Sequence, residues 1–172
     1  MDLTRAKKIS VVGNSGSGKS TLSRRLGKVF AIEVFTVDKI YWQQGWNMKP
    51  HKEYKKIHDA WLNSDSWIID GIGYWDEMQQ RLFQSDVVIF LDVPADTCSE
   101  RADNRIKAEE YSPNQDIAEG CIYGNVRERQ MEVIKYFHES LRPKLIDFLS
   151  KLDSERVLTI GSYDDLKFEN KT

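Results

Sequence analysis

The chain of 172 residues is 40% hydrophobic, carries a formal net charge of −2 and contains two cysteines. This length and apolar content are sufficient for one domain with its own core, and we expect a single domain over residues 1–172. The slight acidity argues against a general attraction to nucleic acid, and no apolar run reaches the length of a signal peptide or a membrane span, so we expect a cytoplasmic protein without membrane contact.

Short apolar runs alternate with helical patterns along the chain. This alternation is typical of a parallel sheet covered on both faces by helices, an α/β fold. Strands are predicted at 8–12, 33–37, 67–70, 86–92 and 156–160. Helices are predicted at 19–30, 51–63, 75–83, 95–107 and 126–152. Pro143 should bend the last helix, because proline removes one backbone donor.

Residues 13–20 read Gly-Asn-Ser-Gly-Ser-Gly-Lys-Ser between the first strand and the first helix, which is the setting of a Walker A phosphate-binding loop. The glycines allow successive N–H groups to surround a phosphate at the helix N-terminus. Lys19 would reach the terminal phosphates, and the Ser20 hydroxyl would bind Mg²⁺. A Gly/Ser-rich turn without a ligand is the alternative. The predicted nucleotide-binding residues of the loop are Gly13, Ser15, Gly16, Ser17, Gly18, Lys19, Ser20 and Thr21.

A phosphate-loop enzyme needs a second carboxylate near the metal, and two apolar strands end in aspartate, at Asp70 and at Asp92. Gly71 follows Asp70 and leaves room for a ligand, whereas Asp92 leads into Val93-Pro94 and a helix start, where a carboxylate has a structural use. We therefore predict Asp70 as the carboxylate near Mg²⁺, with turn capping as the alternative.

Polar and aromatic residues follow the second predicted strand. Asp38 could hydrogen-bond to a hydroxyl acceptor or accept its proton, or it could cap a turn. The nearby Tyr41, Trp42 and Trp46 suit stacking on a planar ligand, although such clusters more often close a small core. Arg81 either reaches an acidic substrate group or lies on the surface.

Several segments together resemble a known superfamily. The loop at 13–20, Asp70-Gly71, and Leu91-Asp92-Val93-Pro94 followed by two arginines resemble the adenylate-kinase type of nucleoside monophosphate kinase, a P-loop NTPase fold. Segments 36–46, 67–71 and 81–92 look closest to small bacterial proteins called DNA topology modulation proteins. The resemblance implies ATP as donor and a three-layer α/β/α fold whose five parallel strands lie in the order 2-3-1-4-5. It also implies a substrate-binding insertion at about 38–64 and a lid at about 108–126.

By position in this resemblance, Arg101 packs near the nucleotide base and Arg105 contacts its phosphates. Arg127 and Arg129 follow the lid, where such kinases place arginines that neutralise the transferring phosphoryl group, and the sequence does not choose between them. Phosphoryl transfer depends on positioning and on positive charge at the transferring oxygens. An exposed helix face is the alternative for Arg101 and Arg105.

The chain departs from adenylate kinases where those enzymes bind AMP. Segments 37–42 and 70–74 supply no arginine, so AMP is a doubtful acceptor. The sequence predicts an ATP-dependent kinase that uses Mg²⁺ and phosphorylates a small molecule or nucleotide, with Lys19, Asp38, Arg105, Arg127 and Arg129 as catalytic candidates. The alternative is an ATP-binding regulatory protein that affects DNA topology through a partner or through DNA contact.

Overall fold

A computed structural model of the protein describes residues 3–109 and 115–166. Its main sheet has five parallel strands: β1 (Lys8–Gly13), β2 (Val34–Thr36), β3 (Trp67–Asp70), β4 (Val87–Leu91) and β5 (Val157–Ile160). The strands lie in the order β2-β3-β1-β4-β5. The predicted sheet and its strand order are therefore confirmed.

Helices connect and cover these strands. They are α1 (Lys19–Phe30), α2 (Val37–Tyr41), α3 (His51–Leu62), α4 (Trp75–Gln84), α5 (Ala95–Glu109), α6 (Arg127–Tyr136) and α7 (Arg142–Leu149). A short antiparallel ladder pairs Trp42–Gln43 with Asn47–Met48. Within the described ranges, no helix combines the length and the apolar character that crossing a membrane requires.

The core lies on both faces of the sheet, which explains why the strands are apolar almost throughout. On one face, strand residues such as Ile9 and Ile89 pack with Leu22 of α1 and Cys98 of α5. On the other face, Val12, Val88 and Phe90 pack with Met78 and Leu82 of α4 and with Leu145 and Phe148 of α7. The two faces together hold β1 rigidly at the centre, and the phosphate loop follows this strand.

The second predicted strand is shorter than expected. It ends at Thr36, and Val37 begins α2, so Asp38 lies in the first turn of a helix and not at a strand end. Val37 is fully buried and packs beneath Gly71, which turns the chain away from the sheet. The strand itself is confirmed, and only its bounds differ, because packing between β2 and the end of β3 cannot be read from local apolar spacing.

The helix predicted at 126–152 changes its hydrogen-bonding pattern just before Pro143, the residue at which the sequence predicted a bend. A π-helical segment, Phe137–Leu141, separates α6 from α7, and Pro143 lies in the first turn of α7. Proline is tolerated in a first turn, where its missing N–H would have no intrahelical partner.

The segment predicted as the insertion, 38–64, contains α2, the short ladder and α3. Of the predicted lid, Ala108 and Glu109 belong to α5, residues 110–114 lie outside the described residues, and residues 115–126 end in a 3-10 helix, Tyr123–Val126.

Candidate functional site

The phosphate loop joins β1 to α1 and lies close to other parts of the chain. Gly16 and Gly18 have φ values of 78° and 99°, in the left-handed region that favours glycine. A Cβ atom on Gly16 would lie 2.2 Å from the Cys98 carbonyl oxygen, and one on Gly18 would lie 2.5 Å from the Tyr163 ring. The tight loop leaves its backbone N–H groups at the N-terminus of α1, which suits an anion.

A cavity of about 460 Å³ opens beside this loop. We call it the P-loop cleft; it is lined by Gly16, Gly18, Lys19, Ser20, Thr21, Arg24, Asp38, Arg101, Arg105, Asp116, Tyr123 and Tyr163. Seven of the predicted nucleotide-binding residues therefore share one cleft. Gly13 and Ser15 line a neighbouring cavity, and Ser17 is buried and lines neither cavity.

Two arginines of α5 contact the loop directly. Arg101 donates from Nη1 to the Ser17 carbonyl oxygen over 3.2 Å, and Arg105 donates from Nη2 to Ser15 Oγ over 3.3 Å. The Arg105 guanidinium lies 3.8 Å from the centroid of the Tyr123 ring. Their spacing of four residues places both on one face of α5, where they add positive charge at the loop.

Lys19 is held by its own loop. Its Nζ donates to the Asn14 carbonyl oxygen over 2.7 Å. Burial lowers the pKa of Lys19, while Asp38 and Asp70 raise it, so both carboxylates act on this ammonium group. The structure thus brings together the three charged residues that the sequence singled out near the phosphates.

Asp70 ends β3 and is only 2% exposed. Its Oδ2 has no hydrogen-bond partner among the described residues. Burial raises the pKa of Asp70 to about 6, while Lys19 and a hydrogen bond with Ser20 lower it. Because a carboxylate and a hydroxyl are oxygen ligands of the kind Mg²⁺ prefers, and one oxygen is buried without a partner, Asp70 and Ser20 fit a magnesium site.

Asp38 lines the P-loop cleft from the first turn of α2. Burial raises the pKa of Asp38, and Lys19 and Arg105 lower it. Its position beside Lys19 gives it access to a proton or a hydroxyl group near the phosphates.

Asp92 has a different role. Its two carboxylate oxygens accept hydrogen bonds from Nε and Nη2 of Arg142, each over 2.6 Å. This bidentate pair ties the chain just after β4 to α7. The structural role that the sequence predicted for Asp92 agrees with this geometry.

A second cavity of about 350 Å³ adjoins the first. We call it the aromatic cavity; its aromatic and aliphatic lining is Tyr41, Trp42, Trp46, Met48, Ile72, Tyr123, Val126, Val133, Tyr136, Phe137 and Leu141. The other lining residues are Gly13, Asn14, Ser15, Lys19, Asp38, Gly71, Gly73, Arg129 and Gln130. Lys19, Asp38 and Tyr123 border both cavities, so the two spaces meet at the end of the phosphate loop.

The structure separates the two arginines between which the sequence did not choose. Arg129 lines the aromatic cavity, with its guanidinium 5.3 Å from the centroid of a Trp42 ring. Arg127 lines neither cavity and instead donates from Nε and Nη2 to the two carboxylate oxygens of Asp103.

Arg81 differs from both of its sequence interpretations. It is fully buried on α4, lines neither cavity, and donates from Nη2 to the Gly71 carbonyl oxygen over 2.6 Å. It therefore holds the turn after Asp70, and this turn borders the aromatic cavity through Gly71 and Gly73.

Contacts that the sequence analysis missed join the lid segment to the insertion. The Trp46 indole Nε1 donates to the Ile122 carbonyl oxygen over 3.0 Å, and the Gly45 N–H donates to the Gly120 carbonyl oxygen over 3.3 Å. Gln130, also missed, donates from Nε2 to Ser15 Oγ over 2.6 Å. These contacts join residues that are far apart in the sequence, and no local motif predicts them.

No protein-family model matches the chain, and no curated protein matches it by sequence. Solved structures do match. A shikimate kinase from Acinetobacter baumannii in complex with shikimate has a TM-score of 0.58 at 15% identity, covering 95% of this chain and 89% of that one. A shikimate kinase from Bacteroides thetaiotaomicron has a TM-score of 0.56 at 11% identity, covering 92% of this chain and 88% of that one.

A gluconokinase from Sinorhizobium meliloti 1021 has a TM-score of 0.50 at 11% identity, covering 90% of this chain and 82% of that one. All three structural neighbours are kinases by name. At such low identity the likeness establishes the fold, which this chain shares over nearly its whole length.

Proposed function

We propose that the protein is an ATP-dependent kinase that phosphorylates a hydroxyl group of a small molecule. The observation that carries this proposal is that the P-loop cleft and the aromatic cavity meet at Lys19 and Asp38. A kinase needs a donor site and an acceptor site that share the groups acting on the transferred phosphoryl group. The fold shared with shikimate kinases and a gluconokinase supports the same reaction class.

In this proposal ATP occupies the P-loop cleft. The loop N–H groups and Lys19 bind its phosphates, and Arg105 adds charge beside them. Arg101 and Tyr163, whose guanidinium and ring centroid lie 5.7 Å apart, border the outer part of the cleft, where we place the base. Mg²⁺ held through Ser20 and Asp70 would neutralise charge on the phosphate oxygens.

The acceptor occupies the aromatic cavity with its hydroxyl group toward Asp38. Asp38 accepts the hydroxyl proton, the acceptor oxygen forms a bond to the γ-phosphorus, and the bond between that phosphorus and the ADP oxygen breaks. Burial supports this role because it raises the pKa of Asp38 toward the range in which a carboxylate is an effective base. Packing of residues 115–126 against the insertion supports the exclusion of water, which would otherwise hydrolyse ATP.

The test is ADP release from Mg²⁺-ATP with a panel of nucleoside monophosphates, nucleosides and small hydroxylated acceptors, using Lys19→Ala as the blank. Stimulation by one acceptor well above the basal rate is the expected result. Asp38→Asn should then lower kcat roughly 100-fold or more, with little change in ATP affinity. Full activity of Asp38→Asn would remove Asp38 from the mechanism, and ATP binding unchanged in Lys19→Ala would remove the donor site.

The regulatory alternative, suggested by the resemblance to DNA topology modulation proteins, predicts tight ATP binding without stimulation by any acceptor. The aromatic cavity favours the kinase, because a switch that responds to ATP alone needs no second site beside the phosphates. Direct DNA contact would show a steep dependence on salt, which a binding assay at two ionic strengths measures. We propose the cytoplasm as the location, since ATP is the donor and both cysteines are free thiols.

A further inference from the structure

We propose that the acceptor is a flat, largely apolar ring compound that carries the reacting hydroxyl group and one anionic substituent. This inference rests on the proposed kinase function and specifies its substrate class. It is drawn from the lining of the aromatic cavity and from the charges placed there.

The walls of the cavity are formed by aromatic side chains that pack against one another. The Trp42 and Trp46 rings lie 5.5 Å apart between centroids, and Trp46 lies 4.9 Å from Tyr123. Tyr41 packs edge-on against Trp42 with centroids 4.8 Å apart. Rings fixed against one another in this way present rigid surfaces that suit a planar ligand.

The apolar character continues to the mouth of the cavity. Three of its lining side chains are large, apolar and unusually exposed: Met48 at 48%, Val133 at 47% and Tyr136 at 59%. A polyhydroxylated acceptor would lose water against these side chains and gain few hydrogen bonds in return. An apolar ring would bury their surface favourably.

The charge in the cavity suits one anionic group. Arg129 is the cation farthest from the phosphate loop in its lining, and within the described residues no carboxylate lies at ion-pair distance from it. Lys19 belongs to the donor side, and Arg127 is already paired with Asp103. A guanidinium binds one carboxylate by two parallel hydrogen bonds and balances its single charge, whereas it balances only half the charge of a phosphate dianion.

The cation and the base lie in the lining of one cavity. Asp38 and Arg129 both line the aromatic cavity, and the Arg129 guanidinium lies 5.3 Å from the centroid of a Trp42 ring. An acceptor in this cavity can therefore direct its hydroxyl group to Asp38 and its anionic group to Arg129.

Binding is tested first, by titration calorimetry without ATP. The probes are 4-(hydroxymethyl)benzoate, the neutral analogue 4-methylbenzyl alcohol, the polar monoanion shikimate, and AMP. We expect 4-(hydroxymethyl)benzoate to bind at least tenfold more tightly than shikimate or AMP. Arg129→Met should lower that affinity at least tenfold and leave the neutral probe within twofold. The matched control, Lys135→Met, removes an exposed cation from the same helix outside the cavity and should change neither.

Phosphoryl transfer to the same probes then separates the two proposals. Arg129-dependent binding of the aromatic anion without ADP release from any acceptor would support the ligand class and overturn the kinase function. ADP release with shikimate or AMP alone would support the kinase and overturn the ligand class. Equal binding of the anionic and neutral aromatic probes would overturn the role of Arg129.

Discussion

Gly16 and Gly18 show how single residues shape the phosphate loop. Their left-handed backbone and the atoms packed against them leave no space for a side chain. The obstacle at Gly16 is a backbone carbonyl of α5, which cannot move without disturbing the helix that carries Arg101 and Arg105. A change in the loop should therefore also displace α5 and its two arginines.

We expect Gly16→Ala to lower the free energy of unfolding by more than about 2 kcal/mol and to weaken ATP binding, because strain and a backbone clash act together. Gly45→Ala is the matched control: φ is 73° there, but its Cβ would lie 3.6 Å from the nearest atom, Asn47 Nδ2. It should cost only about 1 kcal/mol. Urea unfolding and calorimetry measure both effects; equal losses in the two variants would contradict the clash.

His58 is a buried titratable residue outside both cavities. It stacks on Tyr54 with ring centroids 5.7 Å apart, and neither ring nitrogen has a hydrogen-bond partner among the described residues. Burial, and secondarily Arg81, lowers the pKa of His58 to about 3. The folded protein therefore holds this imidazole in its neutral form.

Because the unfolded chain binds this proton below about pH 6.5 and the folded chain does not, stability should fall as the pH drops from 6.5 toward 3. The contribution of His58 between pH 7 and pH 5 is about 2 kcal/mol. His58→Phe should reduce the acid sensitivity of unfolding by that amount. Urea unfolding at both pH values checks this, and an unchanged difference between them would show that His58 is not responsible.

At the scale of elements, two strands end in aspartates with separate functions. Asp70 at the end of β3 has one buried carboxylate oxygen without a described partner, and its pKa responds to Lys19 and Ser20, whereas both carboxylate oxygens of Asp92 after β4 are paired with Arg142. The difference arises because α7 crosses beside β4 and supplies the arginine. An aspartate at a strand end thus belongs to the candidate metal site at Asp70 and attaches a helix at Asp92.

Asp92→Asn should therefore destabilise the fold by about 1 kcal/mol, through loss of the bidentate pair, without changing the effect of Mg²⁺ on ATP affinity. Asp70→Asn should abolish most of that Mg²⁺ effect. Calorimetry of ATP binding with and without Mg²⁺ distinguishes them. A loss of the Mg²⁺ effect in Asp92→Asn but not in Asp70→Asn would reverse the assignment.

On the scale of the whole molecule, the insertion and the described part of the lid segment pack together over the end of the phosphate loop. Ile117, Cys121 and Tyr123 form a small core with Trp42 and Trp46. This satellite core joins the segments that border both cavities. A ligand bound in either cavity should therefore stabilise the insertion and the described lid segment together.

At an ATP concentration 100 times Kd, Mg²⁺-ATP should stabilise the protein by about 2.7 kcal/mol, which corresponds to about 5–10 °C in Tm. Lys19→Ala should lose this shift, whereas Lys28→Ala, in the last turn of the same helix, should keep it. Differential scanning fluorimetry measures the shift. An ATP-induced Tm shift that persists in Lys19→Ala would exclude the P-loop cleft as the ATP site.

The sequence by itself determined the phosphate loop, the five strands and the sheet order. The loop and the strands depend on local signals: glycine spacing between a strand and a helix, and apolar runs of strand length. The sheet order was implied by the resemblance to a known superfamily. The strand ending at Asp70 and the helix beginning at Lys19 have the bounds expected from the sequence. That the last helix would depart from regular α-helical geometry near Pro143 was also predictable, because proline acts on its own backbone.

Tertiary structure alone decided which charged residues face the ligand spaces. Arg127 and Arg129 are two positions apart on one helix, so they point in different directions, and only the packing of α6 showed that Arg129 borders the aromatic cavity. Arg81 became an internal anchor because α4 lies against the turn after Asp70. Such roles depend on contacts between residues far apart in the chain, which local spacing does not encode.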